Sequence, residues 1–458
     1  MEDRQKQPIS KETLSGKTMV KPRKSLLRAD SSIPEQYQEK PMFNEHIMEE
    51  ICERSNLEDA LKRVKKNKGA PGVDGMTVEE LSGYLKGNWL EIKEQLLKGT
   101  YKPKPVRKVD IPKPNGKGKR MLGIPCGVDR FIQQALLQTL QPTWDREFSD
   151  RSYGFRPGRS AHQAVDQAQE YLREGYKYVV DIDLEKFFDR VNHDRLMSKL
   201  MKEVKDKRVI KLIRSYLKAG IMEHGLVSIQ EKGVPQGGPL SPFLSNVVLD
   251  ELDKELEKRG LKHVRYGDDC NIYVKSKRAG GRVMESVERF IINRLKLKIN
   301  QEKSAVDEPK KRKFLGYTFT GGQSANRRKI APESIAKFKT RVRQLTKRSE
   351  MISIEQRIVR LNKYLKGWKA YYGWCETPRI LEELDKWIRR KLRCVYWKQW
   401  KTYRTRKAEL KKRGLQEGRA HACAWSPKGP WRLSHVPPVR MALDNRYFED
   451  IGLQKLHV

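Results

Sequence analysis

The sequence predicts an α+β protein that continues into an all-helical domain, and three observations lead there. Short β-like runs alternate with helical stretches from Asn56 to about Thr320, and that β signal fades after about Arg327. Between the two patterns lies TGGQSANRRKIAP at 320–332, rich in turn-forming residues. With 458 residues the chain is too long for one ordinary core, and two or three domains are expected at roughly 100–200 residues each.

Residues 1–43 are polar, carry scattered Lys and Glu without an apolar period, and read as a disordered N-terminal extension. Residues 44–325 hold the mixed pattern: Val128–Phe148 is helical, Lys177–Leu184 a strand, and Ser241–Gly260 helical. Residues 326–420 follow as helices near 334–348, 353–374 and 377–413, with Pro378 in the first turn of the last. A short basic tail, 421–458, completes the chain.

Lys and Arg number 97 against 58 Asp and Glu, a net charge of +39. Such an excess repels itself unless a polyanion neutralises it, which points to nucleic acid rather than a membrane. Residues 327–419 hold 29 of the cations and 9 of the acids, so about half the excess lies in this fifth of the chain. Trp368, Tyr371, Tyr372, Trp374, Trp387, Tyr396, Trp397 and Trp400 are interleaved there. Aromatics among cations suit RNA, although helical spacing makes most of them core residues. No apolar run is long enough for a membrane span or a signal peptide, so a cytoplasmic location is expected. The six cysteines form no CxxC pair and read as reduced packing thiols.

The most informative peptide is Val264–Val274, where Asp268 and Asp269 stand between two β-like arms, as at the turn of a hairpin. Adjacent carboxylates repel, and a divalent cation would offset them; a solvated Asp-rich turn is the competing reading. A second peptide, Tyr178–Asp189, ends another apolar run with Asp181 and Asp183. Side by side, the two strands would give an open oxygen-rich site suited to Mg²⁺. Two ions held there can activate a hydroxyl and stabilise the leaving group of an in-line displacement.

Further blocks occur in a fixed order: NKGAPGVDG at 67–75, IPKPNGKGKRMLGIP at 111–125, GFRPGRSAHQAV at 154–165, GVPQGGPLSP at 233–242, YGDD at 266–269, LKINQEKS at 297–304 and FLGY at 314–317. With these the chain resembles the reverse transcriptases. Within them it resembles the bacterial group II intron-encoded reverse transcriptase/maturases, from about Leu57 to its end. The match is to the endonuclease-lacking type and most to the group IIC class.

The resemblance implies a right-hand polymerase, its fingers and palm built on antiparallel sheet, followed by a helical thumb/maturase domain. It implies RNA-directed DNA synthesis together with intron splicing and retrohoming; the alternative is a domesticated reverse transcriptase in DNA repair or defence. Asp183, Asp268 and Asp269 would be catalytic, with Asp183 identified by Phe188 five positions later. These three, with Ile182, would hold two Mg²⁺ ions, for which Mn²⁺ could substitute. Strand period leaves Asp181 open as a secondary contributor.

Lys113, Arg120, Gln236 and Gly237 would handle the nucleotide, with Phe188 as a steric gate under its sugar. Arg156, Arg159, Tyr266, Lys303 and Gly316 would contact template or primer. The implied partners are group II intron RNA in a ribonucleoprotein, an RNA template with a DNA or RNA primer, deoxynucleotides, and target DNA. GPWRLS at 429–434 resembles the family's DNA-binding tail. Gly267 stands where the family more often has Ala, and YGDD is also typical of viral RNA-dependent RNA polymerases. Those enzymes usually place Asp where this chain has Phe188, which favours DNA synthesis. A maturase with a dead polymerase site is disfavoured because all three aspartates are present.

Overall fold

The computed structural model describes residues 43–457 except 113–117, 224–225, 229–230 and 323–325. The expected N-terminal extension therefore lies outside the described residues, apart from its last position. Phe43 is buried, its N–H donates to the Glu203 carbonyl at 3.0 Å, and its ring lies 5.8 Å from that of Trp144. The described part of the chain begins at this anchor.

In chain order the strands are β1 (Val106–Pro112), β2 (Lys119–Ile124), β3 (Tyr178–Ile182), β4 (Ile221–Glu223) and β5 (Leu226–Ser228). There follow β6 (Lys262–Tyr266), β7 (Asp269–Val274), β8 (Ala305–Asp307), β9 (Tyr317–Phe319) and β10 (Arg328–Ile330). The central sheet runs β6-β7-β3-β8, with every neighbouring pair antiparallel. β7 is buried along nearly its whole length, which explains an apolar run, CNIYV, without alternation. Helices Ala161–Arg173, Ser241–Lys258 and Lys277–Phe290 pack on this sheet. In a second sheet, β2-β1-β4-β5, β1 and β2 pair antiparallel.

Helix Gly127–Asp145 crosses the main core with an unusual polar stripe, in which Asp129, Arg130, Gln133 and Gln134 are all buried. Burial of so many polar groups needs partners. Asp129 accepts from the Tyr101 hydroxyl at 2.9 Å and from the Lys104 N–H at 3.2 Å.

Beyond residue 330 the structure is helical: Pro332–Leu345, Ile354–Tyr372, Pro378–Gln399 and Tyr403–Lys412 surround a core of their own. One strand survives past Arg327, because β10 pairs with β9. The expected third helix is two helices. Trp400 leaves helical geometry at ψ 69°, and the Thr402 side chain caps the next helix by accepting from the Thr405 N–H. Trp368, Tyr396, Trp397 and Trp400 are buried, as helical spacing suggested.

Residues 421–457, within the segment expected as a basic tail, are folded. Short helices Pro430–Leu433 and Pro437–Ala442 each start on proline, and Leu433, Val439, Leu443, Phe448 and Leu456 enter the same core as the long helices. The Asp385 carboxylate accepts the N–H groups of Leu456 and His457, each at 3.0 Å, and fixes the chain end. All six cysteines are free, five of them buried. No helix among the described residues is long and apolar enough to cross a membrane.

Candidate active site

β6 and β7 form a tight hairpin in which Tyr266 pairs with Asp269, so only Gly267 and Asp268 make the turn. Gly267 has φ +65°, a conformation glycine adopts without steric cost. In the next pairing Asp181 faces Asn271 and Ile182 faces Cys270. The same register carried one step further brings Asp183 beside Asp269. The chain thus delivers Asp183, Asp268 and Asp269 to one end of the central sheet, as the two peptides suggested.

The charges there interact. Burial against surrounding protein, followed by the charges of Asp268, Asp181 and Asp183, pushes the Asp269 carboxyl up to about 6. Neither Asp268 nor Asp269 has an ion-pair partner among the described residues. Asp183 does: the Lys303 ammonium lies 3.0 and 3.1 Å from its two oxygens. Lys303 was expected on template or primer, and the structure places it on a proposed metal ligand. Asp183 is further held by the 297–304 segment, donating its N–H to Ser304 Oγ and accepting from the Asn300 N–H. Asp181 is paired with Arg312 at 2.6 and 2.9 Å. Ile182 buries its side chain in the core, leaving only its backbone to serve a metal.

Among the described residues, no group of three or more His, Cys, Asp or Glu side chains is placed so that it could hold a metal ion as it stands. The donor set nonetheless fits a hard divalent ion: it is all oxygen, two acids lack counter-charge, and the third has attracted an ammonium.

The turn itself rests on a buried network that sequence reasoning missed. Arg265 and Asp253 are both fully buried and pair at 2.5–3.0 Å. The same guanidinium donates to the Gly267 carbonyl at 2.9 Å and to Asn246 Oδ1 at 3.0 Å, while Asn246 donates to the Gly154 carbonyl at 2.9 Å. A Cβ on Gly154 would stand 2.3 Å from the Gly267 nitrogen, so glycine lets the 154–159 loop touch the turn. A Cβ on Gly267 would meet the Phe155 ring at 2.9 Å. The one available signal was an arginine inside a strand between Val264 and Tyr266.

On the expected nucleotide side, Arg120 Nε donates to Gln236 Oε1 at 2.7 Å. Gly237, at φ +129°, approaches the Gly123 carbonyl so closely that a Cβ would be 2.5 Å from it. The glycines of PQGG let this loop pack closely against β2 and against Gln133. Phe188, buried beside Phe187, is the second residue of the turn of helix after β3, and its carbonyl accepts from the Val234 N–H ahead of that loop. Arg120, Phe188, Gln236 and Gly237 are thus tied into one neighbourhood; Lys113 lies outside the described residues.

Of the template and primer residues, Arg156 is a correction. It is buried, paired with Asp145 at 2.7 Å, and bonded to the carbonyls of Ser149, Ser152 and Asp145. It has no donor left for a phosphate and instead ties the 149–156 segment together. Arg159 is partly exposed and pairs with Asp150 at 2.6 Å. Tyr266 lies at the hairpin, its ring 6.0 Å from that of Phe155. The Gly316 carbonyl accepts from the Ala331 N–H and the Ser334 hydroxyl, and a Cβ would stand 2.6 Å from the Tyr372 hydroxyl. Gly316 thus joins the sheet region to the helices.

Residues 111–319 match the family described as reverse transcriptase (RNA-dependent DNA polymerase), and 335–414 match the group II intron, maturase-specific domain. Protein YkfC of Escherichia coli is 32% identical over 302 residues, covering 57% of this chain and 79% of that one. The chain belongs to the group II intron reverse transcriptases. Group II intron-encoded protein LtrA of Lactococcus lactis is 31% identical over 323 residues, 56% of this reverse transcriptase, which spans about half (54%) of LtrA. A chain of a partial Cas6-RT-Cas1–Cas2 complex is 27% identical, covering 55% of this chain and 43% of that one, at a TM-score of 0.35.

In this reverse transcriptase the repelled Asp269 gives a pH-dependent expectation. Its folded-state value lies above the ordinary 3.8, so the folded state binds the proton more tightly. The cost of its charge is absent below about pH 4, grows as pH rises, and is complete above about 6. Without divalent ions, Asp269→Asn should therefore raise Tm at pH 7.5 by roughly 1–3 °C, a small effect because Asp269, although crowded by protein on one side, keeps solvent access at the hairpin end that screens its charge. At pH 3.5 the gain should vanish, and Mg²⁺ should narrow it at pH 7.5. Scanning calorimetry of both proteins in chelator checks this; equal Tm at pH 7.5 would contradict it.

Proposed function

We propose that this chain copies RNA into cDNA at Asp183, Asp268 and Asp269, and that its helical module binds group II intron RNA and assists splicing and retrohoming. The observation that carries the reading is the delivery of three carboxylates to one sheet end by the β3–β7 register. Asp183, Asp268 and Asp269 would hold two Mg²⁺ ions, with Mn²⁺ as a substitute. When bound, such ions supply activation of a primer 3′ hydroxyl and stabilisation of the leaving pyrophosphate.

The chain's own residues do the rest. Arg120, held by Gln236, meets the triphosphate, with Lys113 assigned beside it. Phe188 walls the sugar pocket against a 2′ hydroxyl. Lys303, once released from Asp183, is free to meet phosphate. We assign 44–325 to fingers and palm, 326–420 to thumb and maturase, and 421–458 to contact with target DNA. A cytoplasmic setting, where RNA template, primer and deoxynucleotides meet, suits this role.

Phe188→Ala tests the pocket. Removing the ring should raise ribonucleotide relative to deoxynucleotide incorporation by roughly 10- to 100-fold, as expected for the loss of a clash of about 1–3 kcal/mol. Primer extension on an RNA template with each nucleotide set reads the ratio. An unchanged ratio would place the gate elsewhere.

A further inference from the structure

Two tryptophans of the helical module have their faces covered by cations. Trp387, on helix Pro378–Gln399, has Lys391, Arg343 and Lys339 over its ring at 5.6, 5.7 and 6.0 Å. Trp431, at the start of the short helix after Gly429, has Arg390 at 3.7 Å and Lys391 at 4.9 Å. Arg390 Nη2 also donates to the Trp431 carbonyl at 3.2 Å, while its Nε is buried without a partner.

Three segments distant in sequence therefore converge on one cationic patch. Among the described residues, none of these four cations has a carboxylate within ion-pair distance. Burial, with Arg343, Arg348 and Arg390 nearby, holds the Lys391 ammonium below its usual range. Crowding like charges without counter-ions is unfavourable, and an anion laid across them would offset it.

We propose that Lys339, Arg343, Arg390 and Lys391 form a binding site for the sugar–phosphate backbone of nucleic acid, in which Trp387 and Trp431 act as struts for the cations rather than as base-stacking platforms. This rests on the helical module being a nucleic-acid surface. Each ring that would otherwise stack a base already carries a guanidinium or ammonium, an arrangement that stiffens the cations. An extended polyanion fits better than a small one because the charges come from two helices, Pro332–Leu345 and Pro378–Gln399, within a stretch that holds about half the chain's excess. Recognition here is independent of base identity.

The test is fluorescence anisotropy of the full chain over a salt series with two labelled probes of equal length, oligouridylate and a base-free sugar–phosphate oligomer. The double substitution Arg390→Gln with Lys391→Gln should lower the slope of log affinity against log salt by roughly one to two units on both probes. Trp431→Leu should weaken both probes several-fold with the cations still present, and Lys391→Arg should retain binding. A thermal melt identifies any variant that fails to fold, and Lys391→Arg then carries the comparison. An unchanged slope in the double variant overturns the proposal, as does a loss confined to oligouridylate, or equal competition by polyglutamate. Lys398→Gln with Lys401→Gln is the comparator elsewhere in the module. If both pairs leave the slope unchanged, the nucleic-acid reading of the module falls; if only the Arg390 and Lys391 pair does, this inference alone falls.

Discussion

Asp268→Ala and Asp269→Ala should each reduce extension of a primer on an RNA template by about a thousandfold or more, while RNA affinity changes less than about twofold. The two losses should separate because the acids occupy one sheet end, whereas about half of the basic excess, on which the proposed RNA affinity rests, lies in the helices after residue 326. Asp269 stands next to the end of β3 and feels Asp181, Asp183 and Asp268. Removing its carboxylate eases repulsion in the metal-free protein and so cannot act by unfolding it. Single-turnover extension, paired with filter binding of labelled RNA, measures both quantities. Extension retained by both variants would remove these acids from the chemistry.

Arg265→Met should be the most disruptive substitution outside the acids, costing about 3–5 kcal/mol because Asp253 would be left as an uncompensated buried charge. Its companion is the double variant Arg265→Met with Asp253→Leu, which removes both charges and should recover most of that stability. Extension should not recover with it. The Gly267 carbonyl and Asn246 would still lack the guanidinium that holds the turn. Denaturant melts and primer extension on the wild type and both variants separate the two roles of Arg265. A double variant that regains stability and full activity together would show that the network supports the fold without positioning the acids.

The hairpin at Asp268 was legible because a tight turn, an apolar strand and adjacent acids are all local features. Pairing of β3 with β7 was legible through a second peptide of the same design. Arg156 was not. A turn bearing two arginines looks the same in sequence whether they face solvent or fold inward, and only the third dimension places Asp145 and three carbonyls around one of them. The pairing of Lys303 with Asp183 was hidden for a related reason: the two are 120 residues apart. The C-terminal segment read as a tail because its helices are short, each too brief to show a period, although Phe448 and Leu456 are deeply buried. The packing of PQGG on β2 was not legible because glycine marks close approach of any kind, to backbone as well as to ligand.

The central claim, RNA-templated DNA synthesis at Asp183, Asp268 and Asp269, is tested most directly by extending a labelled DNA primer on an RNA template of defined sequence. Wild type and Asp183→Asn should be run side by side with Mg²⁺ and deoxynucleotides. Wild type should yield a complementary DNA strand whose sequence follows the template, and Asp183→Asn should yield essentially none while still binding the primer–template. Template-directed product of equal yield from the variant, or no such product from a folded wild type that binds the primer–template, would contradict the account.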